Sequence, residues 1–263
     1  MDAAFTSGLF SVAGKTVLIT GGGGGLGRML TKSFLAAGAR VYITGRKADG
    51  LEAAKKELGH PAELKSLLAD LSSPQGMRAL VDAFCEQEPR LHVLINNAGR
   101  TWGAAFDKFP DSAWQNVFAV NVHAPFALAQ GLLSPLEKAA CAEDPARVIN
   151  IGSVYAETTR VMQAYSYTAS KAAIHQLTRV MARELAPRHI LVNAIAPGLF
   201  PSNMTEVLLK DASMREATLA EIPRGRAGTI EDIGGTAIFL SSRAGAYMTG
   251  AVIPLDGGLL VAH

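Results

Sequence analysis

The fold of this chain is decided by the stretch TVLITGGGGGLG, residues 16–27, in which an apolar run leads directly into a glycine cluster. Residues 16–20 are apolar and β-branched, as in a strand that a parallel sheet buries on both faces. A helical pattern follows, with Leu26, Leu30 and Phe34 on one face. Glycines let the backbone approach a pyrophosphate, and the N-terminus of the following helix stabilises its negative charge. The stretch therefore predicts a nucleotide-binding strand, turn and helix.

The same alternation of strand and helix continues along the chain. Further strands are predicted at residues 40–44, 64–69, 91–95, 147–152, 189–194 and 251–255. Helices are predicted at about residues 51–58, 73–84, 166–186 and 230–240, with a long one from near residue 111. No internal repeat or linker interrupts this pattern. We therefore predict one α/β domain over residues 1–263, a Rossmann-type doubly wound parallel sheet of about seven strands with helices on both faces. Residues 199–226 are expected to form a lid over the substrate.

The composition argues against several classes of function. The chain has 263 residues, 49% of them hydrophobic, and a net charge of +2 without a run of lysine or arginine, so no nucleic-acid partner is predicted. Cys85 and Cys141 lie far apart, without neighbours at ligand spacing, which predicts neither a disulfide framework nor a metal site. The N-terminus lacks the pattern of a signal peptide, and polar residues and prolines interrupt the longest uncharged run, residues 112–136. We expect a cytoplasmic protein that does not associate with a membrane.

The residues after the second predicted strand bear on the choice of cofactor. NAD-binding units place an acidic residue about 20 positions beyond the glycines, where it holds the ribose 2′-hydroxyl. Arg46 and Lys47 occupy that place here. A guanidinium binds a 2′-phosphate and has no ionic partner in NAD, so NADP(H) is favoured. Asp49 is close enough in sequence to keep NAD open as the alternative.

The pattern Tyr167-x-x-x-Lys171 lies within the predicted helix 166–186. Residues at i and i+4 share one helix face, so the ammonium should lie beside the phenol. A fixed positive charge there favours the phenolate and lowers the pKa of Tyr167 towards working pH, as acid–base catalysis requires. Tyr165 lacks such a partner, because its i+4 residue is Ala169. The same spacing also occurs by chance in unrelated helices, so the rest of the chain must show whether Tyr167 and Lys171 form a catalytic pair.

The carboxyl ends of the predicted strands supply the other candidate residues. Ligands of doubly wound sheets bind outside those ends. The residues that collect there are Gly21–Gly27, Arg46, Asp70, Asn97, Ser153 and Pro197. His123 and His175 are interpreted as packing or solvent residues. Hydride addition to a carbonyl needs hydrogen-bond donors and a proton source at one point, and Ser153 with Tyr167 would provide them.

Together these motifs resemble the short-chain dehydrogenase/reductase family over essentially the whole chain. The motifs are, in chain order, TGxxxGxG at residues 20–27, NNAG at residues 96–99, Asn121, Ser153, Tyr167-x-x-x-Lys171 and Pro197-Gly198. Within the family the sequence is most similar to NADPH-dependent 3-oxoacyl-[acyl-carrier-protein] reductases of the rhamnolipid-associated branch. The stretches that carry this similarity are residues 96–103, 145–154, 197–205 and 246–250.

The resemblance implies a role for each motif residue. Tyr167 would protonate the carbonyl oxygen as NADPH delivers hydride, and Ser153 would hold that oxygen. Lys171 would lower the pKa of Tyr167 and bind the nicotinamide ribose, while Asn121 would hold a water that passes protons towards Lys171. The implied cofactor-binding residues are Gly21, Gly23, Gly25, Leu26, Gly27, Arg46, Lys47, Asp70, Leu71, Asn97, Ala98, Gly99, Tyr167, Lys171, Pro197, Gly198 and Ser202 (or Thr205 beside it). The expected substrate contacts are Ser153, Tyr155, Trp102 and Tyr167.

Two positions depart from the family pattern. Gly24 stands where many NADP-binding relatives carry a basic side chain, so Arg46 would have to supply most of the cofactor discrimination. Tyr155 is bulky where many relatives carry a small residue. It is either an ordinary loop aromatic or a residue that narrows the substrate pocket.

The sequence therefore predicts a ketone reductase that uses NADPH on a 3-oxoacyl or similar carbonyl substrate. One alternative is an alcohol dehydrogenase for a sugar, a steroid or a small secondary alcohol. An alternative of another class is a binding protein that senses NADP(H) without turnover, and the set Ser153, Tyr167 and Lys171 argues against it. The uncharged helix 119–136 predicts exposed apolar surface and hence a homo-oligomer, specifically a homotetramer.

Pro125 predicts an irregularity in the helix that carries Asn121. Proline has no amide hydrogen for the Asn121 carbonyl four residues earlier, and its ring crowds that carbonyl. We therefore predict a kink or break, with the freed carbonyl holding the water of the proton relay. The alternative is a helix that merely bends around its neighbours.

Overall fold

The computed structural model of the chain describes residues 3–159, 163–202, 205 and 210–262. Its centre is one parallel sheet of seven strands in the order β3-β2-β1-β4-β5-β6-β7. The strands are β1 Thr16–Thr20, β2 Arg40–Gly45, β3 Leu64–Leu68, β4 Val93–Asn96, β5 Ala146–Ile151, β6 Ile190–Pro197 and β7 Val252–Leu255. The strand order reverses between β1 and β4, which is where a doubly wound sheet opens its ligand crevice. The predicted fold class is confirmed.

Helices connect the strands and cover both faces of the sheet. They are α1 Ala3–Leu9, α2 Gly25–Ala36, α3 Ala48–Glu57, α4 Pro74–Cys85, α5 Asp111–Phe118, α6 Ala124–Gly131, α7 Leu133–Ala139 and α8 Tyr165–Leu185, followed by Ala212–Ala220 and Ile230–Ser241. Helix α4 begins as predicted, because the Ser73 hydroxyl accepts a hydrogen bond from the Gly76 N–H at 3.1 Å. The sequence pattern did not predict α1 or the helix Ala212–Ala220, which are both short, and it treated α6 and the start of α7 as one helix over residues 119–136.

Alternate residues of each strand enter two different cores. Leu18 of β1 packs on one face of the sheet with Phe84 of α4 and Met181 of α8. Its neighbour Ile19 points to the other face and packs with Phe34 of α2. Burying each such side chain contributes about 1.5–3 kcal/mol, so both helix layers are held to the sheet by apolar contact.

Two strand boundaries differ from the predicted ones for reasons of pairing. Strand β4 begins at Val93 rather than at residue 91, because the Leu91 N–H donates to the Pro135 carbonyl at 2.9 Å instead of to a neighbouring strand. Strand β6 runs beyond the predicted core at residues 189–194 and ends at Pro197, which was expected at the carboxyl edge of the sheet. Its last residues pair with β7, so Leu255 lies opposite Pro197.

The helix from Asp111 changes its hydrogen-bond pattern just before Pro125. Residues Ala119–His123 form a π-helical turn between α5 and α6. The Ala124 N–H donates to the Ala119 carbonyl, five residues back, and Pro125 lies in the first turn of α6. Because Pro125 has no N–H, the Asn121 carbonyl receives no helical hydrogen bond from it. The irregularity therefore takes the form of a π turn, and the kink and the water on that carbonyl stay predictions.

The predicted lid, residues 199–226, is described only in part. Residues 203–204 and 206–209 lie outside the described residues, and Ala212–Ala220 is helical.

Both cysteines, Cys85 and Cys141, are exposed free thiols. Over the described ranges no single helix is long and apolar enough to cross a membrane. Residues 111–131 and 133–139 meet that criterion only as a pair, and the pair is bent by 59°.

Candidate active site

The glycine turn between β1 and α2 depends on close backbone contacts. A Cβ on Gly27 would lie 2.1 Å from the Gly21 carbonyl oxygen, so only glycine lets α2 start this near the strand. The Thr20 hydroxyl oxygen accepts hydrogen bonds from the backbone N–H groups of Asn97 and Ala98 at 3.0 and 2.9 Å. The Asn97 side-chain amide donates to the Thr20 carbonyl at 2.8 Å. These bonds fasten the β1 turn to the β4 turn at the carboxyl edge of the sheet.

A cavity of about 550 Å³ opens at this edge. Its walls include most of the predicted site residues, namely Gly21, Gly23, Gly25, Leu26, Arg46, Lys47, Asp70, Leu71, Asn97, Ala98, Gly99, Ser153, Tyr155, Tyr167, Lys171, Pro197, Gly198 and Ser202, together with Thr205. Helix α2 begins at Gly25 without a side-chain cap. Its first backbone N–H groups are therefore available to a phosphate group, which is the fit that a dinucleotide cofactor requires.

The end of the cavity beside β2 is rich in positive charge. Arg46 and Lys47 follow β2, are exposed and line the cavity. The nearby carboxylate of Asp70 accepts the backbone N–H and the hydroxyl of Ser72 at 3.0 and 2.8 Å. These bonds hold the pKa of Asp70 below its usual value, with smaller contributions from the charges of Arg46 and Arg100. Two cations beside β2 suit a 2′-phosphate better than a 2′-hydroxyl.

Asn121 lies behind the cavity wall, where the π turn buries it. Its Oδ1 accepts the Arg100 N–H at 2.8 Å, and its Nδ2 donates to the Arg100 carbonyl at 2.9 Å. The same Nδ2 also donates to the Ser170 hydroxyl oxygen at 2.9 Å, and that hydroxyl donates to the Tyr167 carbonyl at 2.7 Å. The side chain of Asn121 therefore ties the segment after β4 to the helix that carries Tyr167.

Ser153 and Tyr167 meet at the cavity surface. Ser153 follows β5 and is the N-cap of a 3-10 turn, Val154–Ala156, where its hydroxyl oxygen accepts the Tyr155 N–H at 3.2 Å. Burial raises the pKa of Tyr167, and the hydrogen bond with the Ser153 side chain offsets part of that rise. The predicted lowering of this pKa by Lys171 is wrong for the groups of the protein itself, because burial of the phenol is the largest influence on its pKa. The phenol is thus held in its protonated form.

Lys171 is buried beside the phenol on the same face of α8. Its Nζ lies 5.5 Å from the centre of the Tyr167 ring and donates to the Ile151 carbonyl at 2.7 Å. Burial lowers the pKa of Lys171 to about 8. A buried ammonium held by one carbonyl favours contact with further oxygen acceptors, such as the hydroxyls of a ribose.

Three predicted residues do not line the cavity. Gly27 lies behind the glycine turn against Gly21, and Asn121 lies behind the wall. Trp102 is 51% exposed and is not part of the cavity wall, so its expected contact with the substrate stays a prediction. Tyr155 does line the cavity, which favours the pocket interpretation of this residue.

Sequence reasoning missed several residues of the site. Arg100 and Phe200 line the cavity, although no motif predicted them as site residues. His175 is buried, and its Nε2 accepts the Ser153 N–H at 3.4 Å. Its position four residues after Lys171 was a usable signal, because both residues must then share one face of α8.

The fold and the site define an oxidoreductase that uses a dinucleotide cofactor, since the cavity combines a phosphate-binding glycine turn with a protonated phenol, a hydroxyl and a buried lysine. The model of the enoyl-(acyl carrier protein) reductase family matches residues 22–260. The chain belongs to the short-chain dehydrogenase/reductase family. The resemblance that the motifs indicated is confirmed.

Characterised relatives and solved structures match nearly the whole chain. The rhamnolipids biosynthesis 3-oxoacyl-[acyl-carrier-protein] reductase of Pseudomonas aeruginosa is 48% identical over 249 residues, which cover 95% of this chain and 97% of that protein. The galactitol 2-dehydrogenase (L-tagatose-forming) of Cereibacter sphaeroides is 35% identical over 96% of this chain and 98% of that one. The active-site complex of Pseudomonas aeruginosa RhlG with NADP superposes with a TM-score of 0.93 at 47% identity, covering 96% of this chain and 99% of that chain.

Proposed function

We propose that the protein reduces a ketone to a secondary alcohol with NADPH as the hydride donor. The observation that carries this proposal is that Ser153, Tyr167 and Lys171 line the same cavity as the glycine turn and Arg46. NADP is supported as the cofactor by the two cations after β2 and by similar structures that hold it, including the RhlG complex. When bound, NADPH supplies the hydride.

Each residue of the site has a distinct part in this reaction. Ser153 donates a hydrogen bond to the carbonyl oxygen and stabilises the charge that develops there. Tyr167 gives its proton to the same oxygen as the hydride reaches the carbonyl carbon. Lys171 binds the nicotinamide ribose and holds its positive charge beside the phenol. Asn121 holds the water that returns a proton towards Lys171.

A 3-oxoacyl group is the substrate that we favour. The support is the 48% identity with the 3-oxoacyl reductase from Pseudomonas aeruginosa, against 35% with the galactitol dehydrogenase. Tyr155 and Phe200 add apolar surface to the cavity wall, which suits an acyl chain better than a polyol. Residues 199–226 are proposed to act as the lid over this substrate.

The experiment that tests the function follows NADPH absorbance with 3-oxoacyl thioesters, keto-sugar acids and simple ketones. We expect Tyr167→Phe to bind NADPH normally, yet to lose at least about 10²-fold in kcat on every ketone that the wild type reduces. Tyr165→Phe is the matched control, two residues away on α8, and should keep its rate. Wild-type protein that binds NADPH but reduces none of the panel, or Tyr167→Phe with unchanged turnover, would refute the assignment.

We further propose that the protein works as a cytoplasmic homotetramer. The support is the exposed apolar surface of α5, α6 and α8, where Trp114, Phe126 and Val180 are 40%, 42% and 56% exposed. Tyr247 and Val261 near the C-terminus are fully or largely exposed and would serve a second contact.

A further inference from the structure

Helix α8 places a third side chain against the turn that carries Ser153. His175 lies one helical turn after Lys171, and its side chain is 4% exposed. The Ser153 N–H donates to its Nε2 at 3.4 Å, while its Nδ1 lies 3.4 Å from Oε1 of Glu157. Ser153 is the N-cap and Glu157 the C-cap of the 3-10 turn Val154–Ala156. One imidazole therefore contacts both ends of this turn.

The protonation state of the ring agrees with both contacts. Burial lowers the pKa of His175 to about 4, and the charges of Lys171 and Arg179 add to the effect. The ring is therefore neutral near pH 7 and carries a single proton. Because Nε2 accepts a hydrogen bond, that proton sits on Nδ1, which lies 3.4 Å from Oε1 of Glu157. Nε2 is thus free of a proton and can accept the Ser153 N–H, while Nδ1 carries the proton on the side of Glu157.

The backbone beside the ring leaves no space for a side chain. A Cβ on Gly152 would lie 2.1 Å from Nε2 of His175. The imidazole therefore packs directly on the backbone between β5 and Ser153. A ring displaced towards Gly152 would therefore have to move the backbone that leads to Ser153.

We propose that His175 is a positioning residue for the reaction, because it fixes the turn that carries Ser153 and Tyr155 while Glu157 holds its ring in the required tautomer. This proposal rests on the proposed role of Ser153 in holding the carbonyl oxygen. A histidine that only fills space would need its volume and neither of its nitrogens. The proposal can therefore be tested with variants that keep the volume of the ring and remove its nitrogen atoms.

The test compares two replacements of the ring. His175→Leu keeps apolar volume and removes both nitrogens, whereas His175→Gln can place an amide oxygen near the position of Nε2. We expect the leucine variant to lose about 10-fold or more in kcat, with the dissociation constant for NADPH within about twofold of wild type. The glutamine variant should recover to within about threefold of wild type. A leucine variant within twofold of the wild-type kcat, or a folded glutamine variant no better than leucine, overturns the proposal.

His92→Leu is the matched control for the loss of a backbone acceptor. The Nδ1 of His92 accepts the Thr16 N–H at 3.0 Å, at the amino ends of the strands. The variant His92→Leu removes the same type of hydrogen bond far from the site, so it should lower the stability of the protein and leave kcat unchanged. An equal loss of kcat in His92→Leu and His175→Leu would mean that the loss reflects stability alone, and would overturn the positioning role.

Hydrogen exchange supplies a readout that does not depend on turnover. In His175→Leu the peptide that contains Ser153 should exchange faster than in wild type, and in His175→Gln it should stay protected. Should the leucine variant fail to fold, Glu157→Ala decides, since this side chain is 44% exposed. We expect faster exchange and a kcat about threefold lower, and Glu157→Gln should restore both because it keeps an acceptor oxygen. An alanine variant unchanged in both measurements overturns the proposal, whereas full turnover in Tyr167→Phe would refute only the proposed function.

Discussion

Replacement of Lys171 by methionine should stabilise the protein at neutral pH while it abolishes turnover. The side chain is buried, and burial lowers its pKa from 10.5 to about 8. The unfolded chain keeps the ordinary value, so below pH 8 folding must bury an ammonium that the unfolded state leaves in water. A difference of this size corresponds to about 3 kcal/mol of stability lost in the wild type. Methionine has a similar length and carries no charge, so Lys171→Met removes this cost.

A second term acts in the opposite direction. The Lys171 ammonium donates to the Ile151 carbonyl at 2.7 Å, and methionine leaves that acceptor without this donor, at a cost of about 1 kcal/mol. The variant should therefore be about 2 kcal/mol more stable than wild type at pH 7. Between pH 8 and 10.5 the folded wild type is neutral at this site while the unfolded chain still binds the proton. The stability of the wild type rises through that range relative to the variant, and the difference should reverse above it.

Urea unfolding of both proteins at matched concentration, from pH 6.5 to pH 11, measures this difference directly. Lys56→Met is the control, because Lys56 is exposed on α3 and its loss should change stability little at any pH. The reasoning is refuted if Lys171→Met is less stable than wild type at pH 7, or if the difference between the two does not change with pH. Turnover with NADPH should be lost in Lys171→Met at every pH, since the ribose contact and the charge beside Tyr167 both disappear.

Three other predictions concern cofactor choice, the buried amide and assembly. Arg46→Asp should weaken NADPH much more than NADH in fluorescence titrations, because it places a negative charge beside the 2′-phosphate; an equal loss for both cofactors would remove Arg46 from that role. Asn121→Ala should lower the free energy of unfolding by about 2–4 kcal/mol in urea, since the side chain makes three hydrogen bonds while 2% exposed; a change below 1 kcal/mol would contradict it. Light scattering should give a tetramer at micromolar concentration, and a monomer would reject the proposed assembly.

The sequence predicted those parts of the fold whose signals are local. The run at residues 16–20 could only be buried, and the glycines that follow required a tight turn, so β1 and α2 lie where the pattern placed them. Ser73 followed by proline is another local signal, and it correctly predicted the start of α4. The pairing of the end of β6 with β7 was not predictable in this way, because β7 lies about 60 residues later in the chain.

The sequence predicted most of the residues that form the site, but it did not predict how their pKa values are shifted. The spacing of Tyr167 and Lys171 correctly placed both on one face of α8, beside the same cavity. The sign of the pKa shift at Tyr167 was wrong, because spacing reports which charges are neighbours and says nothing about how much water is lost. His175 was interpreted as a packing or solvent residue for a related reason. Its spacing from Lys171 indicated the helix face on which it lies, but its partner is a backbone N–H at the end of β5, whose position no side-chain pattern records.

Burial shifts the pKa values of the two catalytic candidates on α8, Tyr167 and Lys171, in opposite directions. Burial raises the pKa of the Tyr167 phenol and lowers that of the Lys171 ammonium, so both shifts favour the neutral form of the pair. In that form the phenol carries the proton that a carbonyl oxygen must receive during reduction. Oxidation of an alcohol would instead need the phenolate, which the surroundings of Tyr167 oppose. The groups of the protein itself therefore favour the protonated phenol, which is the form from which the proposed reduction starts.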